Sequence, residues 1–107
     1  MQSQIEEESY DAYMNAKIFK IVPKEDAVGG GDAFIGSTTA SLEKTMEHHV
    51  QNYYREYKKV AYGSERLFEK YGPHHCKIEL IETFPCNSEE VLAKRESEIV
   101  RRVMRWA

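Results

Sequence analysis

Long apolar runs are missing from these 107 residues. No segment approaches the roughly 18 apolar residues of a membrane span, so no membrane partner is expected. A basic start followed by an apolar core is missing as well. The chain opens Met-Gln-Ser-Gln-Ile-Glu-Glu-Glu, and an intracellular protein of cytoplasm or nucleus is expected. Cysteine is scarce: Cys76 and Cys86 are the two. The alternation from Cys76 to Phe84 reads as a strand rising about 3.3 Å per residue. Its ends lie far beyond the roughly 7 Å that a disulfide bridges. Two unpaired thiols fit a reducing compartment, and without a CxxC pair a cysteine zinc site is not expected. Positive charge is also short. The chain has 15 Lys and Arg against 18 Asp and Glu, a formal charge of −3. That excludes a strongly basic nucleic-acid coat, because phosphate affinity comes mainly from cations. A local basic patch remains compatible with it.

What is present is an ordinary globular mixture, 41% hydrophobic and 31% charged, in a length that holds one core rather than two. Residues 1–16 read as an acidic arm, with Ile5, Tyr10, Tyr13 and Met14 forming a weak helical turn that docks on the body or on another copy or protein. Residues 17–107 form the single domain. Lys17 to Val22 (KIFKIV) reads as a strand ended by Pro23, and Ala33 to Ser37 (AFIGS) as a second. The connection between them carries Gly29, Gly30 and Gly31, so the pair makes a hairpin with a long loop. Ser41 or Thr39 caps a helix running to about Lys59, with Leu42, Met46, His49, Val50, Tyr53 and Tyr57 on one stripe. Ser64 to Tyr71 is a short helix capped by Ser64 and stopped by Gly72-Pro73. Cys76 to Phe84 is the third strand, with Ile78, Leu80 and Phe84 on one side. Ser88 caps the last helix, whose apolar positions are Val91, Leu92, Ile99, Val100, Val103 and Trp106. The fold class is α+β: a small three-stranded antiparallel sheet flanked by helices, in the order β-β-α-α-β-α.

Two polar residues break the apolar stripes. Glu96 lies four residues after Leu92 and three before Ile99, on the buried side of the last helix. A carboxylate there costs several kcal/mol unless it is paired, hydrogen-bonded or metal-bound. It reads either as a half-buried salt bridge to an Arg or Lys, or as a metal-coordinating or general-base carboxylate. His49 lies in the middle of the first long helix's stripe, with Thr45 one turn earlier, and reads as a hydrogen-bonded core histidine or a ligand. His48 is read as solvated and pointing elsewhere, and His74 and His75 as loop residues. The triple glycine precedes a strand, not a helix, so it is a linker rather than a phosphate cradle. Tyr53 to Tyr62 (YYREYKKVAY) interleaves aromatics with Arg55, Lys58 and Lys59, as a nucleic-acid surface does. Lys94, Arg101 and Arg105 share the polar side of the last helix. These clusters read as solvated faces or as phosphate contacts.

Taken together, the pieces resemble the GIY-YIG nuclease superfamily from Lys17 to about Val103. Ile18-Phe19-Lys20-Ile21 resembles the first signature strand and Phe34-Ile35-Gly36-Ser37-Thr38-Thr39 the second. Leu42 to His49 resembles the helix that follows, and Lys70-Tyr71-Gly72 with CKIELIE the approach to the third strand. Leu92 to Glu96 (LAKRE) resembles the final helix. Short stand-alone members carried by large DNA viruses and mobile elements are the most similar kind. The resemblance implies cleavage of nucleic-acid phosphodiesters, DNA before RNA, with one divalent ion, Mg²⁺ or Mn²⁺. It makes Glu96 the ion's protein ligand and His49 a helper histidine. Phe19, Phe34 and Thr45 fall where the family has two tyrosines and an arginine, and Lys17 stands for the leading glycine. Lys44, next to Thr45, is about 100° round the helix. The asparagine expected beyond the last helix is missing. Losing a general base costs about 10²–10⁴ in rate, and losing an oxyanion-type donor about 10²–10³. The implied activity is therefore a nuclease with a weakened or lost site. The alternative is a non-catalytic module for nucleic acid or protein, with no metal requirement. Lys44, Arg55, Lys58, Lys59 and Lys94 are the candidate nucleic-acid contacts. Glu96 is expected to be held inward, in a groove floored by the rings of Phe19 and Phe34.

Overall fold

The computed structural model describes residues 12–24, 32–55 and 63–104. The arm residues Ile5 and Tyr10, the three glycines 29–31, Tyr57, Lys58, Lys59, Arg105 and Trp106 lie outside them. Within the described residues the chain is an α+β fold in the order β-β-α-α-β-α. β1 (Lys17–Pro23) pairs antiparallel with β2 (Phe34–Thr38), which sets Phe19 opposite Gly36 and Ile18 opposite Ser37. β3 (Cys76–Thr83) pairs antiparallel with the other side of β1, giving the order β2-β1-β3.

Side chains alternate along a strand, so β1 feeds two cores. Phe19 and Ile21 face α1 (Leu42–Tyr54) and α2 (Glu65–Tyr71), where Leu67, Phe68 and Cys76 are also buried. Ile18 faces α3 (Glu89–Met104), under Leu92 and Ile99. Residues at the end of the expected arm belong to this second core. Ala16 is buried in it, and Tyr13 packs against it. Their carbonyls accept the amides of Phe84 (2.8 Å) and Cys86 (3.1 Å). Cys76 and Cys86 are free thiols associated with opposite faces of the sheet. No helix among the described residues is long and apolar enough to cross a membrane.

Four local expectations need correction. α1 ends at Tyr54, not near Lys59: Arg55 turns to an extended backbone and its amide reaches back to Asn52 O at 3.2 Å. Tyr53 in this last turn still packs on the core, while Tyr54 beside it is exposed. In β3, Phe19 pairs with Leu80 while Ile18 pairs with Glu82, leaving Ile81 as an extra, bulged residue. The bulge reverses which side chains face which helix. Ile78 therefore packs beside Phe19, Phe84 packs on the α3 side, and Leu80 is 48% exposed. The seam of α3 is narrower than its apolar positions suggest: Leu92 and Ile99 are buried, while Val91 and Val103 are exposed. His74 and His75 sit on a single 3-10 turn, which brings their rings within 4.2 Å, centroid to centroid.

The starts of α1 and α3 follow simple chemistry. Ser41 Oγ accepts the amide of Lys44 (3.1 Å) and Ser88 Oγ that of Val91 (3.3 Å), each satisfying a donor left over at a helix start. Ser64 occupies the cap position of α2 without capping it. Its hydroxyl goes elsewhere.

Candidate active site

Among the described residues β2 has a neighbouring strand on one side only, and a groove of about 380 Å³ runs round its other edge. Phe19, Phe34, Thr45, His49 and Glu96, from four separate elements, all line it. They reach it from two directions. Phe19, Phe34, Thr45 and His49 belong to the α1 side of the sheet. Glu96 comes from α3, on the other side, and meets the groove beside Ser37.

The α1 wall is a dry ring cluster. Phe19 is 1% exposed. Its ring lies 6.2 Å from that of Phe34 and 5.8 Å from the His49 imidazole, which is itself 5.4 Å from Phe34. Tilted and edge-on geometry at these separations is favourable for aromatic groups. Gly36 makes the cluster possible, because a Cβ there would stand 2.8 Å from Phe19 Cζ. His49 is 8% exposed, and its Nδ1 is 2.7 Å from Ser64 Oγ. Here the missing cap hydroxyl of α2 is found. Burial pushes the His49 pKa below its ordinary 6.5, while the nearby Glu65 carboxylate pulls it partly back.

Thr45 is committed to structure. Ala40 N–H donates to Thr38 Oγ1 (3.1 Å), and Thr45 donates to Ser41 O (2.8 Å). Thr38 and Thr45 hydroxyls are 2.8 Å apart. Since the Thr45 proton is used on Ser41 O, Thr38 is the donor between them. This relay ties β2 to the first turn of α1 and leaves neither hydroxyl a proton for a ligand.

The α3 wall carries the charge. Ser37 donates to Glu96 Oε1 at 2.7 Å. The other carboxylate oxygen has no hydrogen bond among the described residues. The salt bridge weighed for Glu96 belongs to its neighbour instead. Arg95 grips both carboxylate oxygens of Glu82, at 2.6 and 2.8 Å, and also reaches Glu98 at 3.2 Å. This two-pronged grip fixes α3 to β3 and holds the Glu82 carboxyl below the usual carboxylate range.

No Lys or Arg among the described residues lines the groove. Lys44, Arg55 and Lys94 are exposed and lie outside it, and Lys58 and Lys59 are outside the described residues. Beyond Phe34 a second cavity of about 470 Å³ is lined by Asp32, Gly63, Arg66 and Lys70. There Asp32 Oδ2 is bound by Lys70 (2.8 Å) and by the Tyr71 hydroxyl (2.6 Å), which neutralises much of its charge. His48, read from sequence as pointing away, is exposed yet lines the Glu96 groove. No cluster of three or more His, Cys, Asp and Glu occurs among the described residues, so a dedicated all-protein metal cage is not present there. One carboxylate with a free oxygen is instead the donor set of a Mg²⁺ that keeps its waters and shares a substrate phosphate. The residues fit an ion of that kind.

No protein-family model matches this chain, and neither a curated protein nor a solved structure does.

Proposed function

We propose that this chain is a GIY-YIG-type nuclease-fold domain that binds a nucleic-acid phosphodiester, DNA before RNA, at the β2 edge, with one divalent ion at Glu96 and weakened cleavage chemistry. The observation that carries this reading is convergence. Five residues singled out by pattern and resemblance, spread from position 19 to position 96, line one groove. Electrostatics support it too. A phosphodiester entering there meets a carboxylate and, among the described residues, no Lys or Arg, so a divalent cation would offset the repulsion.

When bound, the ion supplies Lewis acidity and a low-pKa water. The chain's own part is narrower. Ser37 holds one oxygen of Glu96 in place and leaves the other toward the ligand. Phe19, Phe34 and His49 exclude water from the α1 wall. The wall has lost the groups that would move a proton or steady developing charge: two rings lack hydroxyls, and the Thr45 proton is engaged by Ser41 O. The second reading, a non-catalytic binding module, draws on that same closed relay.

Plasmid nicking in Mg²⁺ or Mn²⁺ separates the two. The variant Phe19→Tyr, Phe34→Tyr, Thr45→Arg should nick at least about 10⁴ times faster than the wild type, given what a base and a charge-stabilising donor contribute. Adding Glu96→Ala should abolish it. Nicking that survives Glu96→Ala overturns the metal assignment, and a folded triple variant that fails to cut leaves the binding module as the better reading.

A further inference from the structure

Among the described residues, five side chains with hydrogen-bonding protons line the groove, and four of them are already engaged. Ser37 donates to Glu96, Thr38 to Thr45, and Thr45 to Ser41 O. His49 is buried, with Nδ1 against Ser64 and its ring between Phe19 and Phe34. The fifth is His48. It is exposed, lines the groove, and makes no hydrogen bond or ion pair among the described residues. An imidazole with an N–H and no internal partner is the kind of group that meets a phosphate oxygen.

We propose that His48, not His49, is the histidine that contacts the ligand, donating a hydrogen bond to a phosphodiester oxygen of DNA bound beside Glu96. The proposal rests on the functional reading above and adds to it a residue that neither periodicity nor resemblance selected. His49, by contrast, holds the α1 wall together. The two neighbours divide the work because α1 turns His49 to Phe19, while the exposed residue before it lies in the groove beside β2, which has no second partner strand among the described residues.

Fluorescence anisotropy with a short fluorescein-labelled DNA duplex in Mg²⁺, alongside thermal melting of each protein, tests this. His48→Ala, which leaves no side-chain donor, should weaken binding about tenfold or more, the consequence of losing one hydrogen bond to a charged group, with Tm unchanged. His48→Arg should bind at least as tightly as the wild type, because its guanidinium donates to the same oxygen, and weaker binding by that variant counts against the assignment. His49→Gln should lower Tm. Wild-type binding that survives His48→Ala overturns the assignment while leaving DNA binding at the groove intact. Absence of any salt-sensitive binding by the wild type overturns both this assignment and the reading on which it rests.

Discussion

The two faces of the sheet are built differently. On the α1 side Phe19, Phe34 and His49 interlock and Phe68 lies fully buried beneath, a thick apolar wall closed by one hydroxyl relay. On the α3 side the buried apolar set is Ala16, Ile18, Leu92 and Ile99, edged by the Arg95–Glu82 pair and the Glu96–Ser37 bond. Each face supplies one wall of the groove. Phe19, Phe34 and Thr45 serve the thick wall as packing and as part of the hydroxyl relay, and the other wall carries the Glu96 carboxylate. On the proposed reading, these three departures from the family pattern fall on the wall where a ring without a hydroxyl still fills nearly the same space, at little cost to the fold.

If the α1 wall is core, shortening it should cost stability on the scale of core residues. Phe19→Ala removes a fully buried phenyl ring that also packs on the rings of Phe34 and His49, and should destabilise by about 3–5 kcal/mol. For a domain whose total stability is about 5–15 kcal/mol, urea melts would register that as a loss of about a fifth or more. A loss under about 1 kcal/mol would mean the ring is not core and the comparison fails. Gly36→Ala probes the same wall from the other side. Its methyl would sit 2.8 Å from Phe19 Cζ and 3.1 Å from Phe34 Cε2. Forcing those rings apart should cost about 1–3 kcal/mol, as overpacking does.

The α3 wall should respond differently. Arg95→Leu removes the grip on Glu82 but leaves apolar area on a partly exposed surface, so its effect on Tm should be smaller than either α1-wall change. If the proposed function holds, its larger effect should be on metal-dependent DNA binding, because α3, which carries Glu96, loses its two-pronged link to β3. Salt should weaken the wild-type pair and narrow the gap between the two proteins. A Tm drop as large as that of Phe19→Ala would erase the distinction between the faces.

Much of this was readable in the chain itself. The order of elements follows from local patterns: KIFKIV alternates, and Ser41 and Ser88 precede helical stripes they do cap. Glu96 was conspicuous because it interrupts Leu92 and Ile99 on one helix face. Long-range facts were not readable. Whether Phe84 joins Ile78 or opposes it depends on one bulged residue, Ile81, which pairing with β1 creates. Ser64 looks like a cap at every local level, and only the approach of α1 gives its hydroxyl to His49. His48 lies one residue from the stripe, so periodicity assigns it to solvent. That β2 is an edge strand, with a groove round it, is a property of the whole sheet.

The gentlest test of the contrast uses acid. His49 is buried against two phenyl rings, and burial lowers its pKa from 6.5. In the unfolded chain the imidazole takes up a proton near its ordinary value, while in the folded protein it resists. The unfolded state therefore binds more protons in that window, and stability must fall as pH drops from about 6.5 toward the folded pKa. Above that window the contribution is fully present. Glu82 and Asp32, whose pKa values folding also lowers, act in a separate range, at and below their ordinary 4.5 and 3.8. Urea melts between about pH 7 and pH 5 thus report mainly on the α1 wall, and melts below about pH 4.5 on the ion pairs. Replacing the imidazole by a ring of similar shape that cannot be protonated, His49→Phe, should flatten the upper part of the profile and leave the lower part alone. An upper slope unchanged by His49→Phe would place the proton uptake on another group and remove His49 from the dry wall.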